Sequence, residues 1–197
     1  MSKSFRIAVF ASGSGSNFQA IADAVNAGRL DVHIGLLVCD RPKAQVVERA
    51  NKLGIPTFVF RPKDYESREQ YEREILQRLQ ELEIDLVVMA GYMRLITPVL
   101  VEPWYGKLIN VHPSLLPAFP GLDAIKQALD YGVKVTGVTV HYVDGGMDTG
   151  PIIAQQSLNI TTDDTEESLA ARVHSIEHVL LPQVIAQIAA GQIKLSQ

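Results

Sequence analysis

A chain of 197 residues, 47% apolar and 20% charged, fits one globular domain, or one domain with a C-terminal extension, and is long enough to bury a sizeable core. A net charge of −4 with no block of Lys or Arg argues against a nucleic-acid-binding surface, while a local anion site built from backbone amides stays open. The single cysteine, Cys39, excludes an intrachain disulfide and a thiolate-rich metal centre, and neither a signal peptide nor an apolar run long enough to span a bilayer is present, so the sequence reads as cytoplasmic.

Phe5–Ala11 is a near-continuous apolar run, the pattern of a strand buried on both faces of a parallel sheet. It breaks at Ser12-Gly-Ser-Gly-Ser-Asn17, and a helical pattern follows from Phe18 to about Ala27, with Ile21, Ala22 and Val25 on one stripe and Gly28 as its C-cap. The order repeats: a strand at Val32–Cys39, a helix from about Ala44 to Leu53, a short strand at Thr57–Phe60, a helix at Arg68–Leu82 and a strand at Asp85–Ala90. Such alternation implies a parallel α/β sheet, and Gly91–Ile96 leaves the C-terminal end of its strand, where open α/β sheets place their ligands.

The next strand, from Lys107, carries Asn110 and His112. Two residues apart on a strand, they project from one face about 7 Å apart along the chain. Pro113–Gly121 reads as a covering loop and Leu122–Tyr131 as a helix ended by Gly132. Val135–Val143 alternates as a strand with Thr139 and His141 on one face; a sharp glycine-rich loop, Asp144–Pro151, leads to a strand at Ile152–Ser157 close enough to pair back antiparallel. Thr161–Thr165 offers N-caps for a long amphipathic helix from Glu166 to about Ala190, bent or interrupted near Pro182. The expected fold is a single α/β domain, with a Rossmann-like parallel N-terminal half continuing into a mixed sheet and helices on both faces.

Asn110 and His112 suit acyl-group chemistry, since an amide donates to an oxygen gaining charge and an imidazole exchanges protons near neutral pH. A buried pair satisfied by backbone groups explains the same spacing. Ser12–Asn17 lacks both the third glycine of a dinucleotide fingerprint, Phe18 standing there, and the Walker lysine. A monophosphate loop, in which a side chain at Gly15 would obstruct the anion, and an ordinary βα turn fit it equally. Asp40, ending the second strand, is placed to grip a cofactor ribose, which keeps a nicotinamide oxidoreductase open. Asp144, Asp148, His112 and His141 lack EF-hand or zincin spacing, so no metal site is expected, and Asp148 is the better charge partner for His112. No nucleophile elbow supports serine hydrolysis. Glu177, one turn from His174, is not marked by its spacing.

Asn110-Val-His112-Pro-Ser-Leu-Leu-Pro117, followed by His141-Tyr-Val-Asp-Gly-Gly-Met-Asp148-Thr-Gly-Pro-Ile, resembles the signature of the folate-dependent formyltransferases, whose catalytic triad is Asn, His and Asp. The resemblance runs from Ser12–Asn17 to the helix carrying His174-Ser-Ile-Glu177-His, and is to members that formylate glycinamide ribonucleotide in purine synthesis from 10-formyltetrahydrofolate. It implies that Asn110, His112 and Asp148 are catalytic, and that Gly15, Ser16 and Asn17 hold the ribonucleotide phosphate, with His174, Ser175, Ile176 and Glu177 on the same substrate. It also implies that Met93, Arg94, Leu95 and Ile96 line the folate pocket with Asn110, Asp144, Gly145, Gly146, Met147 and Asp148, with Arg68 near the folate tail. On this resemblance residues 1–105 form the phosphate-binding half and 106–197 the catalytic and folate-binding half.

The partners implied are small molecules only, with no nucleic acid, membrane, metal or NAD, and the protein is expected as a monomer or homodimer. Methionyl-tRNA formyltransferases add a C-terminal domain for which no residues remain, and formyltetrahydrofolate hydrolases carry His where Pro113 stands and an extra N-terminal domain. The covering segment, Gly121-Leu-Asp-Ala-Ile-Lys, departs from members with histidines there.

Overall fold

The apolar runs assemble around the first of them. In the computed structural model, which describes residues 4–194, β1 (Arg6–Phe10) lies between β2 (His33–Cys39) and β4 (Leu86–Met89), with β3 (Thr57–Val59) beyond β2 and β5 (Leu108–His112) beyond β4, all parallel. β6 (Val135–Tyr142) and β7 (Ile152–Asn159) then add antiparallel, giving a seven-stranded mixed sheet of order β3-β2-β1-β4-β5-β6-β7.

Alternation along β1 divides the core. Ile7, Val9 and Ala11 enter one apolar cluster, where α1 (Ser16–Asn26) contributes Phe18 and Ile21, α2 (Gln45–Lys52) Val46 and Ala50, and α6 (Glu166–Ala189) Leu169, Val173 and Leu181. Ala8 and Phe10 enter the other, built with Tyr71, Ile75 and Leu79 of α3 (Arg68–Glu81) and Leu100 of α4 (Pro98–Val101). A strand covered on both faces has no polar side, which is why its sequence shows none. β5 obeys the same alternation: Ile109 and Val111 join the first cluster and Leu108 the second, so Asn110 and His112 stand in line with Leu108.

Several boundaries differ from those the periodicity suggests. α1 begins at Ser16 rather than Phe18, because Gly15 at φ 72 turns the chain into the helix. α5 (Ala124–Tyr131) starts after Leu122 and Asp123, since Asp123 takes a left-handed conformation at φ 55. α6 is not interrupted at Pro182: one helix runs through it, and the hydrogen bond lost to the missing N–H is offset by Leu181, Val184 and Ile185, all buried against the first cluster. The short α4 and a 3-10 turn at Pro62–Asp64 escape a periodicity reading, although each begins with a proline and Thr97 caps α4 by accepting from the Val99 N–H at 3.3 Å.

Candidate active site

The antiparallel register of β5 and β6 sets Asn110 opposite His141 and His112 opposite Thr139. Asn110 Nδ2 is 3.3 Å from His141 Nε2, and His141 Nδ1 is 2.7 Å from the Tyr142 carbonyl. A carbonyl only accepts, so Nδ1 of His141 carries the proton there. His112 is buried and places Nε2 2.8 Å from the carbonyl of Phe119, which fixes a proton on that nitrogen as well. Its other nitrogen, Nδ1, faces Asp148 Oδ2 at 3.4 Å.

Asp148 therefore reaches four groups. Oδ1 lies 3.5 Å from Asn110 Nδ2 and 3.6 Å from His141 Nε2, while Oδ2 meets His112 and accepts from the Gly121 N–H at 2.8 Å. Burial pushes the Asp148 carboxyl up, but the nearby His141 imidazole, the Gly121 N–H and the His112 imidazole outweigh it, so its pKa lies below the usual aspartate value. Asp148 sits at φ 54, in the left-handed region that side chains with a Cβ rarely adopt. Asp144 does not reach the imidazoles by hydrogen bond: its Oδ1 accepts from the Gly146 N–H at 2.9 Å and Thr149 Oγ1 at 2.7 Å, shaping the turn. A side chain at Gly150 would overlap the Tyr142 carbonyl, so glycine is what lets the loop close onto β6.

A second group of residues gathers at the start of α1. Asn17 Nδ2 donates to Glu177 Oε2 at 2.9 Å, a buried contact between residues 160 apart in sequence, and Asn17 Oδ1 has no partner among the described residues. Burial raises the Glu177 carboxyl above the usual range against the opposing Asn17 hydrogen bond and His174 charge. His174 and Ser175 are exposed and Ile176 is half-buried. The raised Glu177 pKa favours the protonated folded state at low pH, and this advantage is lost as pH climbs from about 4.5 through the folded pKa. Glu177→Gln keeps the acceptor without the charge, so the Tm of the variant minus that of the wild type is expected to grow across that window. A difference flat with pH would show that Glu177 is not penalised as an anion.

Between these groups runs Gly91–Thr97, tied down at several points. The Met93 N–H donates to Ser12 Oγ and the Ser12 N–H to the Gly91 carbonyl, both at 2.9 Å, which ties the loops after β1 and β4 together. Arg94 donates to the buried Asp40 at 2.7 Å, which accounts for Asp40 as a structural partner and removes the reason to read it as a ribose ligand. Glu72 on α3, also buried, accepts from the Thr97 N–H at 2.9 Å and from Thr97 Oγ1 at 2.5 Å. Met93 and Leu95 are left more than half exposed, and Ile96 packs on the second cluster. Arg68 is exposed on the first turn of α3 and acts on Glu72 and Tyr71 through its charge, without a hydrogen bond to Met93–Ile96.

Two residues of this arrangement, His141 and Glu72, are absent from the site read in the sequence, and Asp40 is read there with a different role. His141 had a signal, its shared face with Thr139, but only the register shows that it faces Asn110. Asp40 had one, its place at the end of β2, which points to a ribose and not to Arg94; Glu72 had none.

Residues 5–185 match the family described as formyl transferase. The chain belongs to the formyl transferase family. This formyl transferase is 52% identical over 183 residues to phosphoribosylglycinamide formyltransferase of Bacillus subtilis, covering 93% of this chain and 94% of that one. It is 42% identical over 193 residues to the trifunctional purine biosynthetic protein adenosine-3 of Drosophila melanogaster, covering 97% of this chain but 14% of that protein's length. Among solved structures it is similar to glycinamide ribonucleotide transformylase 1 from Geobacillus kaustophilus, with TM-score 0.93 and 55% identity over 95% of this chain and all of that one. The corresponding protein from Symbiobacterium toebii superposes with TM-score 0.95 and 41% identity, covering 100% of this chain and 92% of that one. As a formyl transferase the protein is an enzyme. Among its described residues no helix is long and apolar enough to cross a membrane.

Proposed function

We propose that this formyl transferase moves the formyl group of 10-formyltetrahydrofolate to the amine of glycinamide ribonucleotide, a step of purine biosynthesis. The observation that carries the reading is the single cluster of Asp148 with His112, His141 and Asn110 at the ends of β5 and β6. The reduced folate supplies the activated formyl carbon, so neither a metal nor NAD is assigned a role. The amine, uncharged, forms a C–N bond to that carbon while the carbonyl oxygen takes the electron pair; Asn110 Nδ2 and His112 Nε2 are the donors offered to it. The Phe119 carbonyl marks where an oxygen sits on His112, and displacement of this loop carbonyl frees Nε2–H for the oxyanion. Asp148 holds His112 and a water that takes the proton from the attacking amine to the departing folate nitrogen, whose bond to the formyl carbon then breaks.

The ribonucleotide phosphate is assigned to Gly15, Ser16 and Asn17 at the α1 N-terminus, with His174, Ser175, Ile176 and Glu177 alongside, a location supported by the Asn17–Glu177 bond and by the anion preference of a helix N-terminus. The folate is assigned to Met93–Ile96, Asn110 and Asp144–Asp148, with Arg68 at its tail; exposed Met93, Leu95 and Met147 give apolar surface for its ring. In this assignment residues 1–105 carry the phosphate and 106–197 the catalytic groups. A cytoplasmic monomer or homodimer acting on small molecules alone completes the reading.

Purified protein incubated with 10-formyltetrahydrofolate is expected to release deformylated folate, followed by absorbance, only when glycinamide ribonucleotide is added. Release at the same rate without ribonucleotide would mean that water is the acceptor and that the enzyme is a hydrolase.

A further inference from the structure

We propose that Arg49 of α2 is a positioning residue for the loop that takes the substrate phosphate, an inference that rests on the phosphate assignment above. Arg49 Nε donates to the Ser14 carbonyl at 2.8 Å and Nη1 to Gln19 Oε1 at 3.2 Å, so one planar guanidinium fastens the loop and the first turn of α1 together.

Two further contacts come from the same face of α2. The Val46 N–H donates to the Gly13 carbonyl at 3.2 Å, and the Val46 side chain fills the space that a side chain at Gly15 would need. Val46 and Arg49 are three apart on the helix and so share a face. Gly13, Ser14 and Gly15 are thus each seated on that face, two of them through their carbonyl oxygens.

The consequence follows from peptide geometry. Across a planar trans peptide the C=O and the next N–H point in opposite directions. With the Ser14 oxygen drawn to Arg49, the Gly15 N–H is aimed away from α2; with the Gly13 oxygen drawn to Val46, the Ser14 N–H is aimed away too. Both N–H groups then join the free N–H groups of the first turn of α1 on the side an anion approaches. Nothing else among the described contacts holds the Ser14 carbonyl, and without Arg49 that peptide is free to rotate and to present an oxygen to the phosphate. The positive charge of Arg49 adds to the attraction from behind the loop, but the fork geometry carries the orientation.

The test compares Arg49→Ala and Arg49→Lys with the wild type, using the KM for each substrate, Tm and calorimetric binding of ribose 5-phosphate. Arg49→Ala is expected to raise the ribonucleotide KM about tenfold and weaken ribose 5-phosphate equally, with the folate KM held within about twofold. Arg49→Lys keeps the charge but cannot hold Ser14 and Gln19 at once, so it recovers part of the loss. If the Ala variant does not fold, the Lys variant decides alone, with a ribonucleotide-selective rise expected. An unchanged ribonucleotide KM, equal rises in both KM values, or wild-type behaviour of Arg49→Lys would each overturn the positioning role, the last by showing that charge alone suffices. A wild-type enzyme without ribonucleotide-dependent turnover would instead sink the proposed reaction, while loss of ribose 5-phosphate binding in Arg49→Ala would still support the role of Arg49.

Discussion

Asp148→Asn is expected to lower kcat by a factor of about a hundred to a thousand while leaving both KM values within a few-fold. The substitution keeps the shape of the side chain and an oxygen to accept from the Gly121 N–H, but removes the charge that faces His112 Nδ1 and His141 Nε2. His112→Ala should cost at least as much, because it removes the buried donor itself. Since the carboxylate acts through the imidazoles, the double variant His112→Ala with Asp148→Asn should lose little more than His112→Ala alone. His141 qualifies this. A second imidazole on the same carboxylate gives Asp148 a partner that survives the loss of His112, so a residual effect of Asp148→Asn in the His112→Ala background should vanish when His141→Ala is added. Losses that multiply fully in the double variant, with binding of both substrates intact, would show that Asp148 works independently of His112 and would refute the shared mechanism.

How much of this site the sequence carries depends on whether the interaction is local. Asn110 and His112 are legible because a strand's period of two is fixed by backbone geometry, and the structure puts them in line with Leu108 as that period requires. Gly15 is legible as a special position, since the loop must turn into α1 there. Asn17 and Glu177, 160 residues apart, meet only because α6 packs against α1, and no spacing encodes a packing. Asp40 shows the opposite failure: its place at the end of β2 suggests a ribose ligand by analogy, yet Arg94, 54 residues on, folds back over it. Of the bend or interruption expected at Pro182, the interruption does not occur, for a third reason. The penalty of proline in a helix is local, whereas the burial of Leu181, Val184 and Ile185 that offsets it is tertiary.

Gly15→Val is expected to abolish measurable ribonucleotide binding and to lower Tm, and the structure changes the reason. The sequence alone places the new side chain in the path of the phosphate. In the folded chain a Cβ on Gly15 instead overlaps the Val46 side chain of α2, so the substitution pushes the loop off its seat. Two costs add: a β-branched residue at φ 72 is strained by about 1–2 kcal/mol, and forcing extra volume against a buried valine costs about 1–3 kcal/mol more. Gly13 is the control. A Cβ there meets nothing within 4 Å, and its φ is not in the left-handed range, so Gly13→Ala should leave the unfolding free energy within about 0.5 kcal/mol of the wild type. If the phosphate lies against the open side of this loop, Gly13→Ala should still raise the ribonucleotide KM, because the added methyl stands where the anion approaches. Folate affinity should be unchanged in Gly13→Ala and should fall only modestly in Gly15→Val, through the Ser12 contact with Met93. A Gly15→Val enzyme that keeps its Tm and its ribonucleotide affinity would mean that α2 does not seat the loop. Weakened folate with intact ribonucleotide binding in Gly13→Ala would mean that the two pockets are assigned the wrong way round.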